Sequence, residues 1–455
     1  MEDVLKRKIA TAVAVASVFG LSACSSSSSG TGSSAPTGVF STNGAGKTIT
    51  VWLMTGDNTN KQMEAQINAT NAAFAKATGG AKVNIEIQSW TNYTTKLDAA
   101  LLSGNAPDAL EIGNTQTAKY IAANSFVNLT SVKSQFANSS TWLTSLAQSG
   151  EDATQTKTYA VPFYAGSRIV IYRKDQWAAA GITSAPTTIA EFETDLAAVK
   201  AKFSSSVPNY SALYLPGGDW YTASSFGVGG YGSTSGVIAK STDGTTWTGT
   251  LTDSGFESGV QTWDTLQSDF SVGGANDAGN DQDSVMAKGQ ASAIIGNGWE
   301  VGSVDGPAST GGNPALAPDL STFPIPGTTA GSPTPGFLGG SDLAVPTNAK
   351  NPGLGAEWLQ LFTNNASETA FAQGGFIPNS TTLLSTYESA SQANQSEGQA
   401  ASGPTWFIPN SLYWSGSDET DLQTAYEAIA AGGSVSSSLS TAQTAILGDL
   451  NAGSN

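Results

Sequence analysis

The sequence predicts an α/β fold built as two lobes, and three observations point there. Strand-like and helix-like apolar patterns alternate over residues 48–112, the rhythm of a parallel sheet covered by helices. The alternation restarts near residue 160. The chain is 455 residues long, beyond the roughly 250–300 at which a single core stops growing.

The elements follow in order. Lys6, Arg7 and Lys8 make a basic start, diluted by Glu2 and Asp3, and 9–21 is an apolar run. That run is too short for the ~20 residues of a bilayer span but suits the core of an export signal. Leu21-Ser22-Ala23-Cys24 then resembles a bacterial lipobox, with the chain's single Cys at the position that becomes lipidated. Residues 1–23 therefore read as a lipoprotein signal peptide and Cys24 as the anchored N-terminus; the alternative is an inert buried Cys behind an ordinary secretory signal. Residues 24–46, rich in Ser and Gly, read as a flexible tether. Residues 48–54 (TITVWLM) form a strand-like run, and Met63, Ile67 and Phe74 mark a helix over about 60–77 that stops at Gly79-Gly80. Val83, Ile85 and Ile87 alternate as a strand, Tyr93, Leu97 and Leu101 mark a helix, and 109–112 is a short strand.

After the restart, 167–173 (SRIVIYR) is a strand, and Thr188 with Glu191 forms a capping box ahead of a helix whose face is Ile189, Phe192, Leu196, Val199 and Phe203. Residues 205–256 carry no readable periodicity. A helix over 260–266, a short helix over 284–289 and a strand over 291–296 follow. Residues 306–337, rich in Pro and Gly, read as irregular, while 356–362, 368–373 and pieces of the tail from 421 read as helical.

Composition excludes whole classes of function. The chain has no His, which removes Ser-His-Asp and Cys-His catalysis and His-ligated metals. A net charge of −17 opposes nucleic-acid binding. Charged residues are only 12%, about half the usual share, so a charged ligand would find few counter-ions. Gly44-Ala45-Gly46-Lys47-Thr48 ends like a phosphate-binding loop, but Ser41 stands where the earlier Gly belongs and a strand, not a helix, follows. Asp277, Asn280, Asp281 and Asp283 lack the Gly and Glu of a calcium loop and read as a solvated loop. No cofactor and no metal is expected.

Several blocks occur in an order that resembles the extracellular solute-binding proteins of ABC importers, in the branch of maltose- and oligosaccharide-binding proteins. They are 49–54 (ITVWLM), 93–97 leading to Gly104-Asn105-Ala106-Pro107-Asp108, Tyr159-Ala160-Val161-Pro162 followed by 171–175 (IYRKD), and 186–192 (PTTIAEF), which lacks the family's Trp. Residues 286–299, ending Gly296-Asn297-Gly298-Trp299, and the stretches 323–327 and 339–345 complete the series. The resemblance covers about 48–380. It implies two α/β lobes with parallel-type sheets, joined by a multi-strand hinge with the ligand cleft between them. The expected lobes are 47–160 plus 323–345 and 161–322 plus 346–455, with crossings near 160–162, 323–324 and 345–346. It implies a non-catalytic monomer, lipid-anchored outside the cell membrane, that captures an oligosaccharide and delivers it to membrane permease subunits.

A neutral sugar needs amide and carboxylate partners and flat aromatic faces; with 11 Trp, 12 Tyr and 17 Phe the chain supplies platforms. By resemblance the cleft lies at strand ends, which nominates Asp57 after the first strand and Trp90 and Asn114 after later ones. Asp57 reads equally as a helix cap, and Trp90 as lobe packing. Tyr164 and Arg168 flank the first crossing, and Arg168 reads as a ligand contact or as the partner of an acid. Trp220, in Asp219-Trp220-Tyr221, sits in a Gly-rich stretch. Trp299 is the expected sugar-stacking residue, and Gly340 and Asp342 belong to the returning loop. Trp406, Tyr413 and Trp414 read either way, and Trp52 and Trp358 as core. The rival reading is a secreted glycoside hydrolase, whose chemistry needs only two carboxylates and no His.

Overall fold

A computed structural model describes residues 39–452 except 58–59, 231–236, 278 and 280. The signal segment, Cys24 and residues 25–38 of the tether lie outside the described residues.

Strand β1 (Thr48–Met54) pairs in parallel with β2 (Lys82–Gln88) and β3 (Ala109–Gly113). The intervening helix Lys61–Ala77 is started by Asn60, whose side chain accepts the N–H groups of Gln62 and Met63. It buries Met63, Ile67, Thr70 and Phe74 at helical spacing, and Gly79 and Gly80 beyond its end adopt positive φ. This part is the expected parallel sheet. The rest of the main sheet departs from it: β3 pairs antiparallel with β9 (Gly336–Ala344), and β9 antiparallel with β4 (Ala160–Arg173).

Strand β4 is the spine of the molecule. Its first half, Ala160–Ser167, lies against β9; its second half, Arg168–Arg173, lies against β7 (Ala293–Asn297) and β8 (Leu320–Phe323). Between β4 and β7 the chain also forms a hairpin of β5 (Ala239–Ser241) and β6 (Trp247–Gly249). The short β10 (Ile377–Pro378) pairs with β4 and β11 (Thr405–Trp406) with β9. The strand expected over 167–173 is thus the second half of a longer one that runs through Pro162 and Gly166, with a register irregularity between Pro162 and Tyr164.

Two large cores lie at the two ends of this spine. One is built on Val51, Phe74, Ala109, Val161, Phe163, Leu343, Trp358, Phe362 and Phe371; the other on Val170, Phe192, Trp220, Phe256, Trp263, Ile295, Phe323, Trp406, Trp414 and Tyr426. The chain therefore changes core within β4, within β9, and again between Phe376 and Trp406. This differs from the crossings expected near 323–324 and 345–346. Phe323 and Ile325 pack in the second core and Val345 in the first, and helices Pro352–Phe362 and Asn365–Gln373, expected with the second lobe, bury their apolar faces in the first. Pro346 forms an isolated bridge with Phe126, and the changeovers use paired strands.

The capping box at Thr188 is formed in both directions, and helix Ile189–Phe203 buries Ile189, Phe192, Leu196 and Val199. Within 205–256 lies a helix without apolar periodicity, Trp220–Gly229, of which eight residues are buried; a helix buried nearly all round has no polar face to reveal it. The helix read over 260–266 extends over Ser254–Phe270. Among the described residues no helix is long and apolar enough to cross a membrane.

Candidate functional site

A cavity of about 900 Å3 opens where β4 and β9 pass from one core to the other. From the first core it is lined by the turns after β1 (Thr55, Gly56) and β2 (Trp90), by Tyr93, and by Gly113–Gln116 at the end of β3. Tyr164, Ala165, Gly166 and Arg168 of β4 and Phe337, Gly339, Gly340 and Ser341 of β9 form its floor; Tyr221, Asn297, Trp299, Gly375, Phe376 and Glu397 complete it. The ends of parallel strands are where side chains and helix starts can converge on a ligand.

The aromatic groups are fixed by polar tips and ring contacts. Trp90 is 40% exposed; its indole N–H donates to Thr55 O at 3.1 Å and its ring meets Tyr93 edge-on at 5.6 Å. The Tyr93 hydroxyl donates to Gln116 Oε1 at 2.8 Å and accepts the Gly113 N–H at 3.2 Å. Tyr164 donates to Glu111 Oε1 at 3.2 Å and packs on Phe376 at 4.7 Å. Trp299, just after β7, is 66% exposed and presents its ring at the cavity's rim. Asn114 joins the halves of the floor, donating to Leu338 O at 2.8 Å and accepting the Gly340 N–H at 3.3 Å.

Formal charge at the cavity is already spent. Arg168 Nε donates to Asp219 Oδ2 at 2.9 Å, and the guanidinium lies over the Tyr221 ring at 4.6 Å. Glu397 accepts the N–H groups of Ser167 and Gly298 at 3.1 and 2.8 Å and the Tyr387 hydroxyl. These are the one cation and the one carboxylate among the described lining residues. No group of three or more His, Cys, Asp or Glu among the described residues can hold a metal ion.

Six expected site residues thus meet at this cavity: Trp90, Asn114, Tyr164, Arg168, Trp299 and Gly340. Three do not line it. Asp342 is fully buried, accepts from Thr117 and Ser149 at 2.7 and 2.9 Å, and is pushed by burial up to about 7. Asp57 is buried beneath the cavity, accepts the Met54 N–H at 3.3 Å, and burial together with the Glu111 carboxylate pushes it up to about 10; nor does it cap the following helix, which Asn60 does. Trp220 packs among Tyr221, Phe337, Trp406 and Trp414, its N–H donating to Glu419 Oε1 at 3.2 Å. Its neighbour Tyr221 reaches the cavity instead. Trp406 and Trp414 are core, as are Trp52 and Trp358. Sequence reasoning did not single out Tyr93, Phe337, Phe376 or Glu397 as contacts; the first reads simply as a helix marker.

The chain belongs to the bacterial extracellular solute-binding proteins: the model of that family matches residues 69–408. Among its relatives is the diacetylchitobiose-binding protein DasA of Streptomyces coelicolor, 33% identical over 404 residues that cover 88% of each chain. Solved structures share the two-lobed fold. The sugar-binding protein MalE of Xanthomonas citri superposes with a TM-score of 0.73 at 18% identity, covering 90% of this chain and 98% of that one. MalE of Listeria monocytogenes, solved with maltose, gives 0.70 at 18% identity over 89% and 98%.

Proposed function

We propose that this chain is the substrate-binding component of an ABC importer, taking an uncharged oligosaccharide into the cavity between its two lobes and presenting it to membrane permease subunits. The observation that carries the reading is the cavity's lining: ring faces and amides, with the one cation and the one carboxylate among its described residues both engaged by the protein itself. Such a lining offers hydroxyl partners and C–H stacking but no free counter-ion. The relative's name makes an N-acetylated disaccharide the first probe.

The lobes in this reading are 39–166 with 338–380 and 167–337 with 405–452, hinged on β4 and β9. A ligand touched from both sides stabilises the closed arrangement by its differential affinity, and closure is the signal the permease reads. Trp299 acts as platform, with Trp90, Tyr164 and Tyr221 as further faces, and Asn114, Gln116, Asn297 and the Gly340 backbone as hydrogen-bond partners. Tethering by a lipidated Cys24 keeps the monomer at the outer face of the membrane. Mass spectrometry of the N-terminal peptide from the native host tests that point: a diacylglyceryl group on Cys24 supports it, and an unmodified thiol contradicts it.

The hydrolase alternative gains no support. It requires two carboxylates facing each other across the substrate at ~5–9.5 Å, and Glu397 stands alone among the described lining residues. Calorimetric titration against neutral di- and trisaccharides tests the binding reading, with chromatography of the recovered sugar. Saturable binding of intact ligand is expected; cleavage of the sugar would return the hydrolase.

A further inference from the structure

Strand β4 changes partner at one point: Ser167 is its last residue paired with β9, and Arg168 its first paired with β7. The Ser167 N–H at this junction donates to Glu397 Oε1 at 3.1 Å. Strand β7 ends at Asn297, opposite Arg168, and the next N–H, that of Gly298, donates to the same oxygen at 2.8 Å. Glu397 Oε2 accepts the Tyr387 hydroxyl. The carboxylate belongs to helix Gln392–Ser402, is nearly inaccessible, and borders the cavity. Gly298 makes the approach possible, because a Cβ there would overlap Glu397 Oε2. Trp299 follows immediately and its backbone leads into the helix Glu300–Val304, so the anchored Gly298 sets where the Trp299 side chain leaves the chain.

We propose that Glu397 is a positioning residue: one of its oxygens ties the Trp299 turn to the strand on which the lobes hinge, and so sets the platform's place in the cavity. A carboxylate suits the task because it accepts from three donors at once and offers none. An alanine leaves the Ser167 and Gly298 N–H groups without that acceptor. A glutamine keeps one oxygen for both and asks only the Tyr387 hydroxyl to turn. The consequence for sugar affinity rests on the binding function proposed above; the clamp itself does not.

The test has two arms. In the ligand-free protein, acrylamide quenching of Trp299 is isolated as the difference between the wild type and Trp299→Phe. Glu397→Ala and Gly298→Ala should both change it, and Glu397→Gln should restore most of it. In the second arm, affinity for diacetylchitobiose is measured in a double-mutant cycle. Glu397→Ala should weaken binding roughly tenfold, the scale of losing hydrogen bonds to a charged group, and Glu397→Ala with Trp299→Ala should be no worse than Trp299→Ala alone. Unchanged quenching in folded Glu397→Ala or Gly298→Ala, or additive losses in the cycle, would overturn the proposal. If Glu397→Ala does not fold, Gly298→Ala and Glu397→Gln carry both arms. If the wild type binds no sugar, the binding reading fails, while the quenching arm still decides the clamp.

Discussion

Replacing Trp299 by Ala removes a largely exposed ring, so it should leave the melting temperature unchanged while weakening sugar affinity by about tenfold, the scale of a stacked aromatic contact. Replacing Trp220 by Ala should do the reverse through stability, costing about 3–5 kcal/mol as a buried indole is emptied from a packed cluster. Denaturant melts and titrations of the two variants together distinguish platform from core; affinity loss without stability loss in Trp220→Ala would contradict the assignment. The contrast shows what single residues disclose in a sequence. Aromatics beside glycines are candidates for contact, but whether an indole faces the cavity or the core is decided by neighbours far along the chain: Trp220 is enclosed by Phe337, Trp406 and Trp414. Asp57 and Asp342 mislead in the same way, since an acid that accepts hydrogen bonds inside the protein is indistinguishable in sequence from one that accepts them from a sugar.

Elements with a regular apolar pattern between cap or turn signals are readable. Helices Lys61–Ala77 and Ile189–Phe203 have apolar stripes and explicit caps, and β1 and β3 are compact apolar runs between turns. Helix Trp220–Gly229, with almost no wet face, and helix Gln392–Ser402, with little apolar stripe, were not. The latter carries Glu397, which is why that residue went unnoticed. The first crossing is legible near 160–162, but the full length of β4 is not, because Pro162 and Gly166 interrupt its pattern. The Thr188→Ala change removes the capping box and should cost about 1 kcal/mol with no effect on ligand affinity, measurable by urea denaturation. At Gly340 the backbone of β9 comes so close to Tyr164 O that a Cβ would overlap it. Gly340→Ala should therefore separate β9 from β4, lowering both stability and affinity; wild-type values for both would show that the two strands are not held in the register described.

Across the whole molecule, burial pushes several carboxyl groups above the ordinary carboxylate range. Asp342 and Glu300 are raised to about 7, and Asp57 to about 10. Below the ordinary carboxylate range both folded and unfolded chains are protonated at these sites. Between about pH 4 and 7 the unfolded chain releases protons that the folded chain keeps, so stability falls as pH rises. Asp243 and Glu191, held low by backbone N–H donors, act in the opposite sense only below that window. The melting temperature should therefore be higher at pH 5 than at pH 7, and Asp342→Asn should flatten part of the slope; a melting temperature that rises over that interval would contradict the burial of these groups. The same economy of charge shapes recognition, since a cavity whose charges are paired internally favours ligands that carry none. The most direct measurement is a calorimetric titration with neutral di- and trisaccharides at low and at high salt. The account predicts one saturable site with an affinity that salt does not change; no binding of any neutral saccharide, or binding of an ionic ligand that weakens steeply with salt, would contradict it.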